Sequence, residues 1–434
     1  MQIAALLGLV IMIAYPATTL GQWEQFRGPG GQGRSQATGL PLRWSETENI
    51  TWKVSVPGSG WSSPVIAGGQ IWITTAVDKG RLLKAVCFDQ RSGELLNDIK
   101  LFYRDDGGPL HSKNSYATPT PVIEDDRVYV HFGPAGTACL STGGQVIWKT
   151  SRLKYRQPYA GASSPVLFHN MLILSCDGTD VQFIVALDKQ SGTVVWKTNR
   201  LHLDKAREKI KNQTGWRQRF PLMAYSTPLV IDVDGTAQLI SPGADHVAAY
   251  NAATGKEIWW CGYDGFSLVA RPVYKRGIAF VVGVENHGNP VLYAFRPDAR
   301  GEIIQSELVW RLDRSVPHVP SPLLIGDELY LINDKGIASC LDAPSGRVHW
   351  RERIGGNFSA SPIYADGKIF LFSEEGKATI VAPGKQFKLL AGNQLEGRFM
   401  ASPAVTAGAL FLRTDSHLYR IEKKGQNNGK TNVR

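Results

Sequence analysis

Eight times along the chain a Pro, preceded in seven copies by Ser or Thr, opens a short apolar run, and this repeat limits the fold more than any other feature. The copies are Trp61-Ser-Ser-Pro64, Thr118-Pro-Thr-Pro121, Ala162-Ser-Ser-Pro165, Tyr225-Ser-Thr-Pro228, Val269-Ala-Arg-Pro272, Val319-Pro-Ser-Pro322, Ser359-Ala-Ser-Pro362 and Met400-Ala-Ser-Pro403. Four of the seven spacings between these prolines fall between 40 and 44 residues. That is the length of a four-stranded propeller blade. A chain of 434 residues would ordinarily divide into several domains. A repeat spread over its whole length argues for one ring instead.

Each copy reads as four strands. Proline donates no ladder hydrogen bond, so its fixed place marks a strand start. Runs such as Ile71-Trp-Ile-Thr and Ile369-Phe-Leu-Phe supply second strands rich in β-branched and aromatic residues. Third strands run into turns such as Asp188-Lys-Gln-Ser-Gly192 and Asp342-Ala-Pro-Ser-Gly346, where Asp caps the turn and Gly supplies positive φ. Fourth strands carry Trp148, Trp196, Trp259, Trp310 and Trp350.

The signature Ala186-Leu187-Asp188, Ser191-Gly192 and Trp196 resembles the repeat of quinoprotein-type eight-bladed β-propellers. That group includes pyrroloquinoline-quinone (PQQ) alcohol dehydrogenases and non-catalytic relatives such as the outer-membrane assembly factor BamB. Gln25-Phe-Arg-Gly-Pro-Gly30 and His111-Ser-Lys-Asn-Ser-Tyr116 are similar to phrases in secreted PQQ-like repeat proteins. The resemblance implies an all-β, eight-bladed propeller of four-stranded antiparallel blades.

Ring closure is expected on independent grounds. The eighth copy offers only three strand candidates before Lys423-Lys-Gly-Gln, while Asn49-Ile-Thr-Trp52-Lys-Val-Ser-Val56 reads as a fourth strand lacking a blade. Residues 49–56 are therefore expected to complete the last blade, which leaves only short protected edges. Residues 1–21 have no charge and an apolar run from Ile3 to Ala14, and read as a secretory signal peptide cut near Gly21. The run is short for a transmembrane anchor, and no Cys follows it for a lipid anchor. The expected organisation is a signal peptide at 1–21, an N-terminal extension at 22–48, the propeller at 49–422 and a basic tail at 423–434. Location in the periplasm or outside the cell follows. The glycine-rich Gly28-Pro-Gly30-Gly31-Gln-Gly33 lacks the Lys-Ser/Thr of a phosphate loop and reads as a flexible N-terminal segment.

Cys87, Cys139 and Cys340 occupy the Ala186 slot in three different blades, too far apart for disulfide geometry. They read as small buried residues, and Cys176 and Cys261 could pair only through loop geometry. No adjacent Cys pair, Cys-x-x-Cys-His or zinc-type His spacing occurs, so neither covalent haem nor a metal site is expected.

The residues preceding each strand-opening proline should line one mouth of the central channel. That set includes Trp61, Tyr116, Tyr225, His318, Phe358 and Met400, with Arg398 two residues before Met400. Arg271 takes the place of the usual hydroxyl and either marks an anion-binding point, snorkels to solvent or pairs with Asp264. Two insertions depart from the period. Residues 98–115 bring His111 and Asn114; residues 200–220 include a short helical stretch near Asp204 and then Trp216 to Arg219. Repeat-protein insertions often face the binding side.

The net charge of +10 invites an anionic partner, but its placement decides which one. Residues 200–219 hold seven Lys/Arg against two Asp/Glu, and residues 423–434 hold four Lys/Arg and no acid. The ring itself is nearly neutral, which argues against a nucleic-acid-binding body and for an acidic partner or surface at that loop and tail. Two functions stay open. The favoured one is a non-catalytic monomeric scaffold binding protein, peptide or glycan at the channel mouth, without a cofactor. The alternative, which the resemblance implies, is a PQQ- and Ca²⁺-dependent alcohol or sugar dehydrogenase; Arg271, Glu285-Asn286 and Asp264 are then the candidate groups. A chain without long insertions and without an adjacent Cys pair weighs against it.

Overall fold

The computed structural model describes residues 22–211, 222–285 and 288–423. These form eight radial sheets, each beginning with an inner strand one residue after its proline. Blade 1 runs through Val65–Ala67, Gln70–Val77, Leu82–Asp89 and Leu95–Tyr103. Blades 2 to 7 open at Val122–Glu124, Val166–Phe168, Leu229–Val233, Val273–Lys275, Leu323–Ile325 and Ile363–Ala365. Blade 8 contributes Ala404–Thr406, Ala409–Arg413 and His417–Glu422. Its fourth strand is Ile50–Ser55, antiparallel to His417–Glu422 with Trp52 opposite Arg420. The expected closure by the N-terminal strand therefore holds, and the fold is the eight-bladed propeller.

The recurring Asp turn and Trp turn out to be two halves of a staple between blades. Asp188 Oδ1 accepts hydrogen bonds from the Ser191 amide (2.8 Å) and hydroxyl (2.8 Å), which shapes the turn around Gly192 at φ +72°. Trp148 of blade 2 packs on that glycine so tightly that a Cβ there would lie 2.6 Å from its ring. Its Nε1 donates to Lys189 O at 3.1 Å. Trp310 and Trp350 donate in the same way to Ala343 O and Gly384 O of the following blades. Trp259 departs from the pattern. Blade 5 has no such turn to receive it, so its indole is fully buried and bonds to Gln238 Oε1 of its own sheet at 2.9 Å.

The Ser/Thr before each proline forms a second seam, nearer the axis. The amide of Ser63 donates to Thr120 Oγ1, Thr120 to Ser164, Ser164 to Thr227, Arg271 to Ser321, Ser321 to Ser361 and Ser361 to Ser402, all between 2.9 and 3.0 Å. Two joints are made differently, each by a buried arginine. Arg271 Nε donates to Pro228 O of blade 4 at 3.2 Å. Arg413 Nη1 of blade 8 donates to Ser62 O, Ser62 Oγ and Thr74 O of blade 1 at 3.0, 2.6 and 3.0 Å. Hydroxyls thus zip six of the eight joints, and guanidinium groups make the other two, one where Arg271 replaces the hydroxyl and one where Ser402 and Ser63 are both present.

Two expectations about the periphery change. Residues 22–37 are an ordered plug rather than a flexible segment. Inner strands are sheet edges with free backbone groups, and the plug pairs with several of them: Trp23 with Ile66, Glu24 O with the Ile123 amide, and Gly33 O and the Ser35 amide with Tyr364. Blade 4 also gains a fifth, two-residue parallel strand, Gly301–Glu302, from the segment preceding the last strand of blade 5. The expected helix in the second insertion is Asp204–Lys211. Trp216 and Arg219 lie outside the described residues, as do the signal segment and residues 424–434. All five cysteines are buried and free, so Cys176 and Cys261 do not pair. Arg200 does not add to the exposed positive charge of the loop. It is buried and holds Asp177 bidentately at 2.6 and 2.8 Å, bridging blade 3 to Ser241 Oγ of blade 4 at 2.8 Å.

Candidate functional site: the channel mouth

The plug closes one end of the channel and leaves a cavity of about 240 Å³ at the other. Phe26 of the plug forms part of the floor, and the hydroxyl girdle, including Ser63, Thr120 and Ser321, forms the lower wall. The upper wall is aromatic and imidazole-bearing: Trp61, His111, Tyr159, Tyr225, Phe266 and His318, with Met223 and Met400 filling between. The Trp61 indole N–H has no partner among the described residues.

The first insertion crosses this mouth as a strap. Asn114 Nδ2 donates to Tyr159 O (2.6 Å) and Ala160 O (3.3 Å) ahead of blade 3. One residue earlier, Lys113 Nζ pairs with Glu374 of blade 7 and bonds Ser359 Oγ at 3.3 Å. Burial alone would raise the Glu374 carboxyl, but hydrogen bonds from Lys113, Ser359 and Arg398 hold it below the ordinary glutamate value. His111 packs edge-on against Tyr159, ring centroids 6.2 Å apart. Opposite, burial pushes the His318 imidazole down, against the pull of Asp334, whose Oδ2 accepts from the His318 amide at 2.6 Å. The site is therefore neutral and amphipathic, with one cation already committed to a carboxylate.

Of the expected site residues, the structure brings Trp61, His111, Asn114, Tyr225, His318 and Met400 to this cavity. Arg398 stands just outside it, with Nη2 3.3 Å from Glu374 Oε2. The others go elsewhere. Phe358 is 1% exposed in the core between blades 6 and 7. Tyr116 turns away, donates to Gly108 O and lies beneath the Arg104 guanidinium at 5.6 Å. Arg271 is 2% exposed and points into the plug, donating from Nη1 to Phe26 O at 2.7 Å. It is thus neither on the mouth nor snorkelling to solvent. Tyr159, Phe266 and Met223 were not foreseen, although all stand two or three residues upstream of the positions considered.

A shallower groove continues outward from the cavity between blades 5 and 6. It shares His111, Lys113, Ser267 and His318 with it and carries Glu285, Arg311 and Asp334 farther out. Arg311 Nη2 pairs with Glu285 Oε2 at 2.8 Å, and the Tyr293 hydroxyl bonds the other carboxylate oxygen. The channel mouth and groove together can receive an extended chain rather than only a compact small molecule.

With this geometry in place, comparison with known proteins assigns the family. The family described as outer membrane protein assembly factor BamB matches residues 37–167 and 181–428. The chain belongs to this family of PQQ-like propeller repeats. No curated protein matches the chain. Among solved structures, a europium-containing methanol dehydrogenase is similar at TM-score 0.64 and 11% identity, covering 92% of this chain and 90% of that one. The quinohemoprotein alcohol dehydrogenase of Comamonas testosteroni is similar at TM-score 0.64 and 10% identity, covering 94% and 82%. At such identities the likeness is one of fold. Among the described residues no helix is long and apolar enough to cross a membrane.

Proposed function

We propose that this BamB-family propeller is an exported, non-catalytic binding module that takes a peptide segment of a protein partner at its channel mouth. The carrying observation is the lining. Aromatic faces and a girdle of hydroxyls surround a cavity that opens into a groove, and among the described residues none that lines it is Asp or Glu. Such a surface suits apolar side chains and neutral backbone amides. The family's description as an assembly factor supports a protein partner. The remaining basic residues of the 200–219 loop and the tail fit an acidic surface on that partner or near it.

PQQ with Ca²⁺ does not fit these residues. Calcium takes six to eight oxygen ligands with carboxylates among them, and among the described residues the cavity wall supplies no carboxylate. The quinone's own acid groups would meet Lys113, which Glu374 already neutralises, while Arg271 is engaged by the plug. Of the other candidates, Glu285 is occupied by Arg311, Asp264 is absent from the cavity wall and Asn286 lies outside the described residues.

The test is a peptide array and a glycan array probed with the mature protein and with Trp61→Ala. Binding of peptides that Trp61→Ala loses, at unchanged melting temperature, supports the reading. Selective glycan binding would replace the partner class. Tight PQQ uptake with Ca²⁺, followed by dye reduction with alcohols, would overturn it in favour of the dehydrogenase.

A further inference from the structure

Below the cavity the channel holds two arginines in a setting that ordinarily excludes bare charge. Arg27 of the plug is fully buried, and Arg271 of blade 5 is 2% exposed. Neither forms an ion pair with any carboxylate among the described residues. Their partners are carbonyls: Arg27 Nη2 donates to Gln32 O (3.1 Å) and Pro322 O (2.7 Å), Arg271 to Pro228 O and Phe26 O. The Nε and Nη1 of Arg27 have no partner among the described residues. The charge of Arg271 adds to burial in disfavouring the charged form of Arg27.

Removing an ion from water without a counter-charge is among the largest penalties in folding, and buried charges are accordingly paired or neutralised. Burial pushes both guanidinium groups down to about 9, which leaves them protonated at neutral pH. The glycines of the plug are shaped around them. A Cβ on Gly31 would lie 2.1 Å from Arg271 Nη1, and one on Gly33 would lie 2.6 Å from Arg27 Nη2. The segment is therefore built to place two cations against the channel axis and leaves two donors of one of them unused.

We propose that Arg27 and Arg271 hold a small monovalent inorganic anion, of the size of chloride, at the inner end of the plug, with Arg27 Nε and Nη1 as its principal donors. The anion supplies the counter-charge that the chain itself lacks there, and its capture locks residues 26–33 into the channel. Neither arginine belongs to the cavity wall, so this site stands whatever the mouth binds.

Crystals of the mature protein grown in bromide decide the matter directly. An anomalous peak within hydrogen-bond distance of Arg27 Nε or Nη1 is expected, and water alone at those donors overturns the proposal. In solution, the melting temperature in sodium chloride should exceed that in sodium gluconate at equal ionic strength by a few degrees, rising to saturation as a bound ligand requires. The Arg27→Gln protein should lose that difference. An identical halide response in wild type and Arg27→Gln would equally overturn it. The bromide experiment uses the wild-type chain and so stands even where the variant folds poorly.

Discussion

Lys113 and Glu374 form an ion pair at the channel mouth, joining the loop between blades 1 and 2 to blade 7 past blade 8. The pair shapes the entrance of the cavity without being part of the girdle or the staples that close the propeller. A residue inserted between two blades thus borders a site built by all of them.

Replacing Lys113 by Ala should free the strap while leaving the ring intact. The lysine side chain is partly exposed, so the pair contributes about 1 kcal/mol or less. Limited proteolysis should show faster cleavage within residues 104–115, with the melting temperature nearly unchanged. Equal cleavage rates would mean that the Asn114 bonds alone hold the strap.

Within the plug, two neighbouring glycines should respond differently to alanine. Gly30 has φ +64°, and a Cβ there would meet only Gln32 Cγ at 3.9 Å, an ordinary contact, so Gly30→Ala bears only the left-handed backbone penalty of about 1 kcal/mol. Gly31→Ala adds a Cβ driven into the buried Arg271 guanidinium and should cost clearly more. Denaturant titration of the two variants side by side measures the difference, and equal losses would contradict the tight packing of the plug.

Ser361 both accepts from the Ser321 amide at 3.0 Å and donates to the Ser321 hydroxyl at 3.1 Å. Ser361→Ala leaves a buried amide unsatisfied and should destabilise the ring by about 1–2 kcal/mol. Ser361→Thr should restore most of that, since Thr120 and Thr227 fill the same slot in other blades. Equal stability of the two variants in urea would refute the girdle as a source of stability.

Acid should unfold the protein through two buried imidazoles. Burial pushes His131 down to about 4; burial, together with Arg200 and His202, pushes His246 down to about 3. Above the unfolded histidine value near 6.5 both states are neutral and stability is unaffected. As pH falls below it, the unfolded chain binds protons that the folded one refuses. Stability therefore drops by about 1.4 kcal/mol per pH unit for each histidine until the folded values are reached. Urea midpoints between pH 7 and 4 test the slope, and His131→Gln should reduce it.

Much of the fold was legible because its determinants are local and repeated. Each Ser/Thr-Pro pair starts an inner strand, each Asp turn folds on its own side chain, and the orphan strand around Trp52 had one blade left to complete. The candidate site was legible only in part. Trp61 and Phe358 lie near corresponding points of their repeats, yet one faces the channel and the other the gap between blades, because position along a strand says little about which way a flanking loop turns. The plug gave no periodic signal, since it bonds through its backbone to strands as distant as Tyr364.

The sequence by itself determined the number of blades and the closing strand, which follow from residue types recurring at one spacing. Only the tertiary structure decided that Arg271 belongs to the plug, that Arg200 is buried against Asp177 and that Lys113 reaches Glu374. Those contacts join residues from 23 to 261 positions apart, and they depend on which segments the closed ring brings together, which no local pattern encodes.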